Sequence, residues 1–139
     1  EIEILKTEKR REYQERKWTW WMKIMTTIAQ ENVRKINAAG GVLVAGTDQS
    51  SGPALHRELE LMAAAGIPAS DIIRIATLNG AIFLGKEREL GSIEEGKIAD
   101  MVLLAADPTA DINNTKKIIQ VIKGGQVINR SKLNLPINR

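Results

Sequence analysis

Asp48 and His56 are the residues of this 139-residue chain whose types and positions first suggest chemistry. Asp48 closes "GVLVAGTD" (41–48), where an apolar run stops at Gly46-Thr47 and a carboxylate. His56, the only histidine, follows eight positions later in "PALHRELELM" (53–62). A carboxylate just past the carboxyl end of a buried parallel strand lies at the rim where α/β proteins keep their sites. There it could bind a metal or move a proton. It could equally cap the following turn, with Gln49-Ser50-Ser51-Gly52 as ordinary loop, and position alone does not separate the two. His56 has no second histidine at metal-ligand spacing. A helix-start histidine bonded to a neighbouring loop is therefore the stronger reading, ahead of a substrate contact.

Other chemistries are missing from the chain. It has no cysteine, which excludes disulfides, cysteine-zinc sites and cysteine nucleophiles. It has neither a Gly-x-Ser-x-Gly elbow nor a phosphate-binding Gly-Lys-Ser/Thr loop. Glu94-Glu95, before Gly96, reads as a solvated turn. Asp100 lies inside an apolar strand, where it would bond loop amides in a structural role.

These residues need elements to position them. The spacing predicts a long helical region over 6–39, with Trp18, Met22, Met25, Ala29, Val33 and Ile36 on one face. "AAGG" (38–41) supplies a left-handed cap at Gly40 or Gly41. "VLVAG" (42–46) is apolar on both faces, as a buried parallel strand would be. Gly52-Pro53 opens the next helix, with Leu55, Leu59 and Met62 inward, and Gly66-Ile67-Pro68 stops it. Ser70 is suited to cap a third helix, "DIIRIATL", with Asp71 at its positive end, and Asn79 to re-cap "AIFLG". After residue 90 the pattern turns to strands: 97–107, then a hairpin over 118–128 around Gly124-Gly125. The fold class is α/β, followed by a small β-rich unit.

Composition agrees with a globular chain, at 43% apolar and 27% charged residues. A net charge of +3, from 20 basic and 17 acidic residues, does not call for nucleic acid or membrane partners. The basic stretch "KTEKRREYQERK" beside "WTWW" could serve as a stacking platform. Glu8, Glu12 and Glu15 are interleaved with it and would repel phosphate, and the charges are not segregated as in an interfacial helix. Core packing is the expectation for the tryptophans. No run is long enough for a membrane-spanning helix. The first residue is Glu and no signal-peptide layout follows, so the sequence reads as starting inside a longer chain or at a processed end.

Four segments in order, "NVRKINAAGGVLVAGTD" (32–48), "LHRELELMAAAGIPASDIIRIATLNGAIFLG" (55–85), "LGSIEEGKIADMVLLAADP" (90–108) and "IIQVIKGGQVI" (118–128), carry a resemblance. They resemble the C-terminal part of metal-dependent amidohydrolases of the imidazolonepropionase-like group. The resemblance implies the C-terminal portion of a (β/α)₈ barrel plus part of a small composite β-sandwich, incomplete on its own. Residues 1–89 would hold the last helices and the eighth strand (42–47), with the eighth helix at about 54–65. Residues 90–139 would hold the C-terminal share of the sandwich. It further implies a divalent metal, zinc foremost, as one or two ions, with Asp48 as ligand and as proton shuttle. Asp48 would take a proton from the attacking water and pass it to the leaving nitrogen. The substrate would be a small amide, cyclic amide or dipeptide.

The family's metal is otherwise held by histidines after earlier strands, often with a carboxylated lysine, and those strands are not in this chain. A closed barrel cannot form from one or two β/α units. The expectation is therefore a segment whose partner is the remainder of its own chain, inactive alone and compatible with a homo-oligomer. The sequence sets no localisation. The competing reading is a non-catalytic α/β module that binds a partner through its Trp-rich N-terminal helix.

Overall fold

The computed structural model describes residues 2–48 and 52–129, with the side chains of residues 2–7, Tyr13 and Trp18 outside that description. Gln49-Ser50-Ser51, where the ordinary-loop reading falls, lie outside the described residues, as do Glu1 and the last ten residues, 130–139.

Four helices come first: α1 (Ile2–Ala38), α2 (Gly52–Ala64), α3 (Ala69–Ala76) and α4 (Leu78–Phe83). Strand β1 (Met101–Leu104), a 3₁₀ turn (Ile112–Lys116), β2 (Ile118–Lys123) and β3 (Gln126–Val127) follow. No described helix is long and apolar enough to cross a membrane.

Helix α1 ends as the glycines predict. Gly40 takes φ +76°, its N–H donates to the Asn37 carbonyl at 3.0 Å, and the Gly41 N–H reaches back to Ile36 at 2.9 Å. These are the paired bonds of a Schellman stop. Helices α2 and α4 end in the same way, at Gly66 and Gly85. At α2 the stop also packs, because Ile67, which follows Gly66 and donates to the Met62 carbonyl, is buried in one cluster with Met62.

The core lies among α2, α3 and the 3₁₀ turn: Leu59, Met62, Ile67, Ile72, Ile75 and Ile112. Ile72 is wholly buried and Ile75 nearly so. Full burial of such a side chain stabilises by about 1.5–3 kcal/mol. Ile112 ties the strand-rich tail to the helices, and Lys116 of the same turn bonds Glu60 on α2. Asp111 starts this turn by accepting the Asn113 amide at 2.9 Å, a cap that "DIN" offered.

The sheet is antiparallel in the order β1-β2-β3, with Met101 opposite Ile122 and Val102 opposite Val121. Gly124 and Gly125, at φ +56° and +78°, form the two-residue turn expected between β2 and β3. Asp100 behaves as the sequence suggests, accepting the Gly124 amide and the Lys123 ammonium, each at 2.7 Å. Glu94 is exposed yet not merely solvated. It accepts from Ser92 at 2.6 Å and from Lys97 at 3.1 Å, which closes the "SIEEGK" loop.

Several expectations need correction. Among the described side chains of the predicted α1 stripe, only Val33 packs on the core, while Met22, Met25 and Ile36 are exposed; Trp18 lies outside the described side chains. Trp20 is 62% and Trp21 49% exposed rather than packed, whereas further along α1 Gln30 donates to the Leu61 carbonyl of α2 at 3.1 Å. Leu55 is exposed, and the inward stripe of α2 begins at Leu59. Pro68, extended at ψ 140°, occupies the cap position of α3 without a side-chain bond, so Ser70 falls in the first turn. The α3–α4 break is at Thr77, two residues before Asn79, and Asn79 lies inside α4 with its amide engaged elsewhere. Strand 97–107 shortens to Met101–Leu104, since Asp100 and the residues before it are held by turn bonds.

Candidate functional site

The segment 41–48 carries the candidate site. Its burial alternates: Leu43, Ala45 and Thr47 are half-buried, while Val42, Val44, Gly46 and Asp48 are exposed. That period of two is the signature of extended chain with one covered face. Leu43 and Ala45 pack on the helical core. A Cβ placed on Gly80 of α4 would lie 4.0 Å from Val44 Cγ1, so α4 approaches the segment closely. The expectation of a strand buried on both faces fails at Val42, 71% exposed, and Val44. Helices cover the Leu43 and Ala45 face, α4 also comes near Val44, and among the described residues no strand pairs with the segment.

Asn79 anchors the segment from the helix side. Its Nδ2 donates to the Leu43 carbonyl at 2.8 Å, and its Oδ1 accepts from Arg74 Nε at 3.3 Å. The sequence reading took Asn79 for a cap. The clue to this role was an asparagine set within the apolar stretch from Ala76 to Phe83, where an amide must find partners if it is buried.

Asp48 ends the segment on an exposed bend with φ +50°, the only non-glycine at positive φ among the described residues. Aspartate tolerates that region better than most residues, and such a conformation often marks a functional site. His56 lies elsewhere in the bonding scheme. Its Nδ1 is 3.2 Å from Thr115 Oγ1, whose hydroxyl donates to the Ile112 carbonyl at 2.7 Å. With the Thr115 proton so engaged, Nδ1–H is the donor to Thr115. His56 thus links α2 to the 3₁₀ turn, a bond between neighbouring elements like the one predicted.

Among the described residues no group of three histidine, cysteine, aspartate or glutamate side chains could hold a metal. Asp48 can offer one carboxylate, and these residues alone do not make a metal site.

A family model described as "Amidohydrolase family" matches residues 26–128, which takes in the end of α1, the anchored segment, α2 to α4 and the sheet. The chain belongs to the amidohydrolase family. This amidohydrolase chain is 37% identical over 87 residues to the 5-methylthioadenosine/S-adenosylhomocysteine deaminase of Moorella thermoacetica, covering 52% of this chain and 20% of the relative. It is 31% identical over 109 residues to the imidazolonepropionase of Caldanaerobacter subterraneus subsp. tengcongensis, covering 70% and 26%. Among solved structures it is similar to a Xaa-Pro dipeptidase with methionine bound in the active site, at TM-score 0.66 and 32% identity over 72% of this chain and 25% of that one. Molinate hydrolase matches at TM-score 0.65 and 32% identity, over 76% and 27%. The amidohydrolase chain therefore spans about a quarter of the length of these relatives. The neighbours imply an α/β fold of the (β/α)₈-barrel type.

Proposed function

We propose that the chain is the C-terminal segment of a hydrolase of C–N bonds, with Asp48 as its proton-transfer group. Its relatives include a deaminase, which removes an amine, and a dipeptidase, which cuts an amide, and both act at C–N bonds. One observation carries the reading. An exposed carboxylate in left-handed backbone ends an extended segment backed by helices, inside the stretch that matches the family.

In this reading, residues 42–47 are the eighth barrel strand and α2 the eighth helix. Strands β1–β3 are the C-terminal share of the sandwich. The open face of Val42 and Val44 would point into the barrel interior of the whole protein, and their apolar character suits packing there. Asp48 accepts the proton of the attacking water and returns it to the leaving nitrogen, as positioned carboxylates do in general acid–base catalysis. A divalent ion, zinc foremost, would take one ligand from Asp48 and the others from residues outside this chain. Such an ion lowers the pKa of bound water to about 7. The 139-residue chain alone is inactive in this account.

The test uses the complete gene product. It is stripped with a chelator, reconstituted with zinc, and assayed on a Xaa-Pro dipeptide, a cyclic amide and an aminopurine nucleoside. Hydrolysis of at least one, lost on chelation and restored by zinc, is expected; no hydrolysis, or hydrolysis indifferent to chelation, would overturn the proposal. Exposed Trp20 and Trp21 favour a second reading, in which α1 docks a partner. A complete product that hydrolyses none of these substrates and loses a bound protein on Trp20→Ala would support it.

A further inference from the structure

Helix α1 meets the core from one side. Val33 packs on the cluster. Gln30 and Asn37, on the same side, donate to the Leu61 carbonyl and to Asp71 Oδ2, each at 3.1 Å. Successive residues advance by about 100° around the helix axis. Met22, Met25 and Ile36 therefore lie within about 80° of Val33, on the side from which the strands of a closed barrel would cover the helix. Ile24 lies about 180° from Val33, and Trp20 and Ile28, one turn to either side of it, about 140° away. In a (β/α)₈ barrel the helices form the outer ring. The face opposite Val33 thus stays outside when the barrel closes, and Trp20, Ile24 and Ile28 on it are all exposed.

Large apolar side chains exposed together mark an interaction site. Three of them at four-residue steps make one ridge, and such ridges interlock in the commonest packing of two helices. Charge indicates what lies opposite. Lys17, seven residues before Ile24, and Glu31, seven after it, sit on this same face, within about 20° of Ile24. Lys17 is exposed, as is nearly half of the Glu31 side chain. A second α1 that crosses antiparallel, with Ile24 at the two-fold axis, brings lysine to glutamate and Trp20 to Ile28 on both sides. Parallel crossing would set lysine on lysine and glutamate on glutamate, so the charges select the antiparallel arrangement. Glu31 also accepts from Arg34 and Lys35 of its own helix, and a carboxylate has room for a further donor.

We propose that the outer face of α1 is a homodimer interface: Trp20, Ile24 and Ile28 pack on the same ridge of a second copy, and Lys17 pairs with Glu31 of the partner subunit. One patch serves both copies, as two-fold symmetry requires. The proposal is independent of the reaction assigned to Asp48.

Sedimentation of the complete gene product at about 50 μM, above the micromolar end of affinities for interfaces of ordinary size, tests it. A mass twice that of one chain is expected, and Ile24→Asp, which puts like charges at the two-fold axis, should halve it. Lys17→Glu sets glutamate against glutamate and should raise the dissociation constant at least about fivefold. Adding Glu31→Lys exchanges the signs and should recover most of that loss. Circular dichroism like the parent's shows that a variant folds, and if Ile24→Asp does not, the charge exchange decides alone. A monomer, a dimer that withstands Ile24→Asp, or a Lys17→Glu loss that Glu31→Lys leaves unrecovered overturns the proposal. So does a monomer that holds a different protein through Trp20, which would give the face to that partner.

Discussion

The Asp100 carboxylate accepts the backbone N–H of Gly124, 24 residues further along the chain, at 2.7 Å, and so fastens the entry of β1 to the β2–β3 turn. Its other oxygen accepts from Lys123 at the same distance. Asp100→Ala should leave the Gly124 amide without its partner and loosen the hairpin. Amide exchange at Gly124 and Gly125 is expected to quicken relative to β2, and the melting temperature to fall. Unchanged exchange at Gly124 would show that the carboxylate does not hold the turn.

Gly91 lies against α4 at φ +89°, where a Cβ would come within 2.7 Å of Ala81 Cβ and 2.9 Å of Leu78 Cα. Both backbone strain and overpacking oppose a side chain there. Gly91→Ala should cost about 2–4 kcal/mol. Gly96 has a similar φ of +85° with nothing near its would-be Cβ, which isolates the first effect. Gly96→Ala should cost about 1–2 kcal/mol. Urea unfolding of both variants measures the difference, and equal losses would mean that the contact with α4 contributes nothing.

Acid should loosen the join between α2 and the 3₁₀ turn. Glu60 is held below its usual 4.5 by the hydrogen bond from Lys116 first, and from Arg57 second. A carboxyl depressed in the folded state stabilises above its unfolded value, and that contribution goes as pH falls through the folded one. Glu60→Gln should therefore lower the melting temperature at about pH 6, and the gap from the parent should close toward about pH 2. A gap independent of pH would contradict the assignment. Glu31, lowered to about 2 by hydrogen bonds from Arg34 and then Lys35, should behave alike.

Local rules made much of this chain legible. The glycine stops at Gly40 and Gly66, the Gly124-Gly125 hairpin and the bonding of Asp100 all follow from short-range chemistry written in neighbouring residues. What periodicity misjudged depends on what lies opposite. The α1 stripe marks a face that could be covered, yet Met22 and Met25 have no described neighbour to cover them. Val42 and Val44 suit a strand with partners on both faces, yet both are exposed among the described residues. Asn79 was read as a cap, because its partner, Leu43, lies 36 residues away and no local rule points there. Asp48 drew notice because it ends an apolar run, and the left-handed backbone it adopts there is not written in the neighbouring residues. His56 was legible as a bonded histidine, but its partner, Thr115, lies 59 residues away.

The central claim is that Asp48 moves the proton in C–N bond hydrolysis, and the turnover of Asp48→Asn in the complete, zinc-loaded protein tests it most directly. Asparagine keeps the shape of the side chain and cannot take up the proton. The account predicts a fall in kcat of about 100-fold or more, in protein with parent-like circular dichroism. A kcat within about threefold of the parent would contradict it.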